Sequence, residues 1–291
     1  MSKRLPSSRP RPSAVNHTLD QAVIALRAQQ PAVAERLASD VLKANRGNVM
    51  AAQVLGEALL LQDRSAEAIG LLQRSARRSP DPGTETLLAM ALGAAGRGDE
   101  ALDQWRRATT RRPAFPLAFL KLGERLGEIG RVDEGIAVLE KGLALAPDGI
   151  GLRVGLGFLH LRRHDRDMAR RLFLQVLAEA PERHDATVGL ARVMGADGEH
   201  AAAADLFRRA LALRPEDAAT RIDLGKCLLE MGARSAGEAT LRIAARGGPH
   251  LAGLAVTALA ATSHGRLFLR PSAAAEFLGV AKAADRVQAR N

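Results

Sequence analysis

The chain has 291 residues with a formal net charge of +10, 47% hydrophobic and 25% charged residues, and a single cysteine, Cys227. It is long enough to bury a sizeable core, an internal disulfide is excluded, and the longest apolar run, Leu251 to Thr262, is too short for a membrane span. Ala and Leu dominate the apolar residues and there is no Tyr, a choice that favours helices over sheets.

The N-terminus reads MSKRLPSSRPRPSAVN, with Lys3, Arg4, Arg9 and Arg11 and no acid. It lacks the apolar stretch of a secretory signal, and residues 1–14 are expected to be a disordered basic segment, since their Pro, Ser and Arg cannot build a core. From residue 15 onward four ladders run in one phase. Prolines stand at Pro80, Pro113, Pro147, Pro181, Pro215 and Pro249, spaced by 33 and then 34 residues. A Leu followed by a small residue recurs at Leu55-Gly56, Leu88-Ala89, Leu122-Gly123, Leu156-Gly157, Leu190-Ala191 and Leu224-Gly225. Small residues recur at Ala34, Ala68, Ala101, Gly135, Ala169, Ala203 and Gly237, and bulky ones four residues after most of them, at Leu72, Trp105, Leu139, Phe173, Phe207 and Leu241.

Each ladder has a physical task. The small residue after Leu lets the helices of a hairpin approach, and the bulky residue fills the space between units. The proline ends the second helix, because it cannot continue the i→i−4 hydrogen bonds. Gly96, Gly130, Gly198 and Gly232 mark turns within hairpins, where positive φ is cheap for glycine, and Asp99, Asp133 and Glu199 follow at the positive end of the next helix.

This pattern resembles the tetratricopeptide-repeat family, whose unit is a helix-turn-helix of about 34 residues. The resemblance covers roughly Asn16 to Pro249 and implies an all-α, right-handed superhelical solenoid of antiparallel helix pairs. Residues 15–249 are expected to form seven such hairpins, starting near 15, 49, 82, 116, 150, 184 and 218. The first is degenerate: Gln21-Ala22 replaces Leu-Gly, and Arg46 stands in the place of the ladder proline.

Residues 250–291 form an atypical eighth unit, with a short helix over Leu251–Thr262 and a last helix capped by Ser272 and running to about Arg290. Its plain reading is a cap on the solenoid's open end. Its sharper reading is a docking element, with Phe268 as apolar anchor and Arg266 and Arg270 as anion contacts.

The resemblance also implies a groove lined by the first helix of each unit. Positions two residues after the ladder Leu are Val23, Glu57, Met90, Glu124, Phe158, Arg192 and Lys226. One turn earlier stand Gln53, Thr86, Leu120, Val154, Val188 and Ile222. Such a groove is acidic early, apolar in the middle and basic late, and suits a peptide or helix with an apolar centre and charged ends. The alternative is a solvated groove whose charges serve solubility. Family members that grip a peptide's terminal carboxylate use Lys, Arg and Asn; the equivalent positions here lack Asn and begin acidic, against that mode.

Catalytic and metal chemistry find little support. His160 and His164 lie four residues apart on one helix, near Asp165 and Asp167, but no third ligand is evident, His160 falls at a packing position and His164 takes the place of the turn glycine. Cys227 beside Lys226 reads as a small buried apolar residue. No P-loop, GxGxxG, GxSxG or HExxH motif occurs. The expectation is therefore a non-catalytic, cytoplasmic adaptor or scaffold without a cofactor, binding a protein or peptide. Self-assembly into a homo-oligomer is the alternative. Nucleic-acid binding through the basic ends is less favoured, because aromatic residues total 3%.

Overall fold

The computed structural model of the chain describes residues 12–268 and 270–280, and among these every regular element is an α-helix. They fall into two compact units, Met1–Leu152 and Arg153–Asn291. The first holds α1 (Pro12–Arg27), α2 (Pro31–Ala44), α3 (Val49–Leu60), α4 (Ser65–Arg78), α5 (Pro82–Ala94), α6 (Gly98–Thr110), α7 (Pro116–Glu128) and α8 (Val132–Leu145). Helix α9 (Ile150–Arg162) spans the division. The second unit continues with α10 (Arg166–Glu179), α11 (His184–Ala196), α12 (His200–Leu213), α13 (Ala218–Glu230), α14 (Arg234–Ala245), α15 (Pro249–Ala261) and α16 (Pro271–Leu278). Helices adjacent in sequence pack as antiparallel pairs, and pairs stack on their neighbours within each unit.

Local chemistry explains the boundaries. Gly96, Gly130, Gly198 and Gly232 have φ between 76° and 83°, and the remaining hairpin turns use Gln29, Asp63 and His164 at φ of 56°, 57° and 63°. His164 thus occupies the turn position that its place in the repeat implies. Asn48, Asp81, Asp165 and Asp217 cap α3, α5, α10 and α13, each side chain accepting a hydrogen bond from a backbone N–H in the first turn. Pro80, Pro147, Pro181 and Pro215 follow shortly after the ends of second helices, as their chemistry requires. Pro249 departs from that role: it opens α15, where its missing N–H costs nothing.

The ladders meet in three dimensions. A Cβ placed on Gly56 would lie 2.8 Å from Leu72, and one on Gly123 would lie 2.6 Å from Leu139. The bulky residue of the second helix therefore seats on the small residue of the first helix in the same hairpin. Phe173 does this twice, against Gly157 of its own hairpin and Gly189 of the next, at 2.7 and 2.3 Å from the respective virtual Cβ positions. A side chain of this size, fully buried, contributes about 2–3 kcal/mol through removal of apolar surface from water.

The ends depart from expectation. Residues 1–11 of the basic segment lie outside the described residues, while Pro12–Ala14 belong to α1 rather than to a disordered tail. The last described helix begins at Pro271, so Ser272 is inside it and not its cap, and it stops at Leu278 because Gly279 turns left-handed at φ 73°. The expected continuation towards Arg290 lies outside the described residues. Among those described, no helix is long and apolar enough to cross a membrane.

Candidate functional site

In the first unit the first helices of successive hairpins line a cleft of about 460 Å³. Val23 and Arg27 come from α1, Met50, Gln53 and Glu57 from α3, Leu87 from α5, and Phe115 and Leu117 from the start of α7. Met50 and Leu117 are exposed although apolar. Gln53 is partly engaged: its Nε2 donates to Thr84 Oγ1 at 3.1 Å and to the Asp81 carboxylate, tying α3 to the cap of α5. Glu57 is exposed, and among the described residues it has no ion-pair partner.

The other acidic position is neutralised. Lys121 Nζ lies 2.8 Å from Glu124 Oε2, so the expected acidic half of the groove reduces to Glu57. Met90 is half-buried and packs against the core formed by Leu88, Leu92 and Trp105. Thr86 is buried, its hydroxyl donating to Pro82 O at 2.6 Å, and Leu120 is half-buried.

The second unit has a different surface. Phe158 on α9 is half-buried and meets Phe173 edge-on at 5.1 Å, and the Arg192 guanidinium lies 5.9 Å from the Phe158 ring centre. Arg192 Nε donates to Asp223 Oδ2 at 2.8 Å, and Lys226 Nζ approaches Asp223 Oδ1 at 3.3 Å. The expected basic end of the groove is therefore balanced by Asp223, with Glu230 also lining the small cavity of about 180 Å³ beside it. Asp223 was not among the expected site residues. The signal for it is its place three residues before Lys226, on the same helix face.

Three expected groove residues belong to the core instead. Val154, Val188 and Ile222 are only 5%, 5% and 3% exposed. Val188 packs with Ala191, Phe207 and Leu224, and Ile222 with Leu229, Leu241 and Leu259. A residue one helical turn before the groove position points partly into the neighbouring hairpin, so small inward rotations of the helix bury it.

Cys227 lies on the wall of the same cavity but is buried, and burial pushes its thiol up to about 11, with the Asp223 carboxylate adding to the effect and Lys226 opposing it. A lysine neighbour does not make this thiol a nucleophile. His160 is buried with Nδ1 3.1 Å from Asp165 Oδ2. That carboxyl is held below its ordinary range, first by the Met168 backbone N–H and then by Arg163.

At the C-terminal end the expected docking residues turn inward in part. Arg266 Nε lies 3.0 Å from Glu238 Oε1, and its guanidinium stacks 4.8 Å over the Phe277 ring. Glu238, only 7% exposed, also meets Arg234 at 3.2 Å and Arg242 at 3.6 Å. Arg242 stacks on Phe277 at 4.2 Å and donates from Nε to Phe277 O at 3.0 Å. Phe268 packs on Phe277 with ring centres 5.2 Å apart. Arg266 and Phe268 thus close the end of the unit; Arg266 is no free anion contact. Arg270 is exposed and, with one edge of Phe268, lines an apolar cleft of about 490 Å³ between α15 and α16.

Comparison with known proteins agrees with this architecture. Sequence models of the tetratricopeptide repeat match residues 19–81, 86–150, 155–218 and 196–256. No curated protein matches the chain. Among solved structures, a tetratricopeptide repeat protein from Parabacteroides merdae is similar over 93% of this chain and 99% of its own, with 14% identity and a TM-score of 0.63. A thermophilic TPR protein of Thermus thermophilus is 23% identical over 62% of this chain and 98% of its own, TM-score 0.56. Human IFIT1, solved as a dimer with m7Gppp-AAAA, is 14% identical over 95% of this chain and 71% of its own, TM-score 0.72. At these identities the likeness extends to the fold alone.

Proposed function

This chain belongs to the tetratricopeptide-repeat family, and from that premise we propose that it is a non-catalytic adaptor that holds a peptide or helical segment of another protein on its first helices. Proteins of this fold generally serve as protein-interaction scaffolds. The observation that carries the reading is the cleft of the first unit, where exposed Met50 and Leu117 flank the carboxylate of Glu57, which has no ion-pair partner among the described residues. An apolar side chain entering this cleft would supply most of the affinity. A lysine or arginine beside it on the partner would pair with Glu57 and set the orientation.

In the second unit, Phe158 with Arg192 offers a shelf for a further apolar or aromatic side chain. Its charges are matched internally, so it contributes shape and apolar contact more than charge. The family is typically non-catalytic, and the buried, protonated Cys227 is consistent with that.

The test is affinity capture from the source cell with the intact chain and with a Met50→Ala, Glu57→Lys variant of equal helicity. A protein recovered by the intact chain and lost with the variant supports the reading. Equal recovery by both moves the contact away from this cleft and overturns it. A Phe158→Ala, Arg192→Glu variant tests the second shelf in the same way.

A further inference from the structure

A second cleft in the first unit lies between the second helices α2 and α4, apart from the cleft on the first helices. It measures about 340 Å³, with Leu42, Ala52 and Leu71 as an apolar floor and Arg46, Arg74, Arg78 and the Ser75 hydroxyl as its polar lining. Among the described residues, no carboxylate lines it. Arg78 donates to Arg46 O, which holds the loop and the helix end together. Among the described residues, none of the three guanidinium groups has an ion-pair partner.

Several arginines elsewhere in the molecule are neutralised instead. Arg64 pairs with Glu35 and Glu67, Arg97 with Glu100, Arg131 with Glu134, and Arg170 with Asp197 and Glu199. The repeat makes the contrast specific. One unit later, Glu85 occupies the position of Ala52 and Arg111 that of Arg78, and these two form a bidentate pair, with Arg111 Nη2 2.7 Å from Glu85 Oε1. Three units later the same two positions are Arg153 and Glu179, again paired with the signs exchanged. In the hairpin of α3 and α4 the acid is absent, and Arg46, standing where the other units carry the ladder proline, adds a further cation.

We infer that this cleft is a binding site for a phosphate monoester. Three guanidinium groups without a carboxylate match a group carrying about −1.5 to −2 charges better than a singly charged carboxylate. Arginine forks offer paired N–H donors to phosphate oxygens, and the Ser75 hydroxyl supplies one more. The floor of Leu42, Ala52 and Leu71 suits an ester whose remaining part is apolar. Among the described residues no aromatic side chain lines the cleft, so they offer no stacking surface of the kind single-stranded nucleic acid uses. Basic residues at the end of α4 also favour the helix dipole, but that accounts for Arg77 and Arg78 and not for Arg74 or Arg46.

The test is titration calorimetry of the full chain with inorganic phosphate and with phenyl phosphate. Both should bind, phenyl phosphate more tightly, and acetate should not. Ala52→Glu gives Arg78 the internal partner that Glu85 gives Arg111, and should weaken both ligands by about tenfold or more with helicity retained. Arg74→Gln, at an exposed position, should weaken them similarly and serves if Ala52→Glu does not fold. Free phosphoserine and a phosphoserine peptide distinguish the source: equal affinity indicates a free ester, tighter peptide binding a modified protein. Phenyl phosphate binding that is absent, or unchanged in the Arg74→Gln protein, overturns the inference. Binding of oligothymidylate that grows with length and is lost in these variants also overturns it, in favour of a nucleic-acid backbone.

Discussion

Asp223 on α13 holds Arg192 on α11 through a 2.8 Å hydrogen bond to Nε, and the same carboxylate faces Lys226 at 3.3 Å. One acid thus faces two cations contributed by successive hairpins. With Glu230 on the wall of the same cavity, the two expected basic residues there, Arg192 and Lys226, meet two acids.

Asp223→Asn would release that balance. The pair is partly exposed, so stability should fall by less than about 1 kcal/mol in urea denaturation. Affinity for an acidic test peptide should rise and become strongly salt-dependent. A salt-independent affinity equal to that of the unsubstituted protein would show that Arg192 and Lys226 are already accessible to an anion.

His164 adopts φ 63° in a turn where four other hairpins use glycine. A left-handed L-residue costs about 1–2 kcal/mol, and glycine returns part of that as chain entropy. His164→Gly should therefore stabilise the protein by about 0.5–1 kcal/mol, read as a higher urea midpoint. A lower midpoint would mean that the His164 side chain makes contacts worth more than the backbone strain.

Stability should fall on mild acidification. The His184 ring is held below the ordinary histidine value, first by burial and then by Arg214, and Asp217 at 3.3 Å does not fully offset them. The folded protein prefers the neutral ring, while the unfolded chain takes up a proton near pH 6.5. The stability contribution is complete above that pH and is lost as pH falls from there through the folded-state value. Urea midpoints at pH 7.5 and 5.5 should differ less in a His184→Gln protein; an unchanged difference would assign the effect to other groups.

Glu238 holds three arginines, one of them from the segment leading to α16. Glu238→Gln leaves them mutually repelling, with partial screening because each guanidinium is partly exposed. The loss should be about 2 kcal/mol. It should appear as faster tryptic cleavage at Arg266 while the earlier helices stay protected. Cleavage at the original rate would mean that Phe268, Phe277 and Leu278 suffice to hold the end.

The helices, their pairing and the turns were legible along the chain because each depends on local rules. A Leu followed by a small residue, a bulky residue at fixed offset, a left-handed turn and a helix-ending proline act over a few residues and repeat every 33 or 34. The same register puts Val23, Gln53 and Glu57 on first helices, where they line the cleft of the first unit. What only the tertiary structure decided is which of these surfaces stay open and which charges stay unpaired. Val154, Val188 and Ile222 are buried because the packing of adjacent hairpins sets their rotation. Arg192 and Arg266 are neutralised by Asp223 and Glu238, each 28 or more residues away in sequence. Arg46, Arg74 and Arg78 gather around an apolar floor with no acid. Periodicity states which face a residue is on; the net charge of a cleft depends on side chains from helices that meet only after folding.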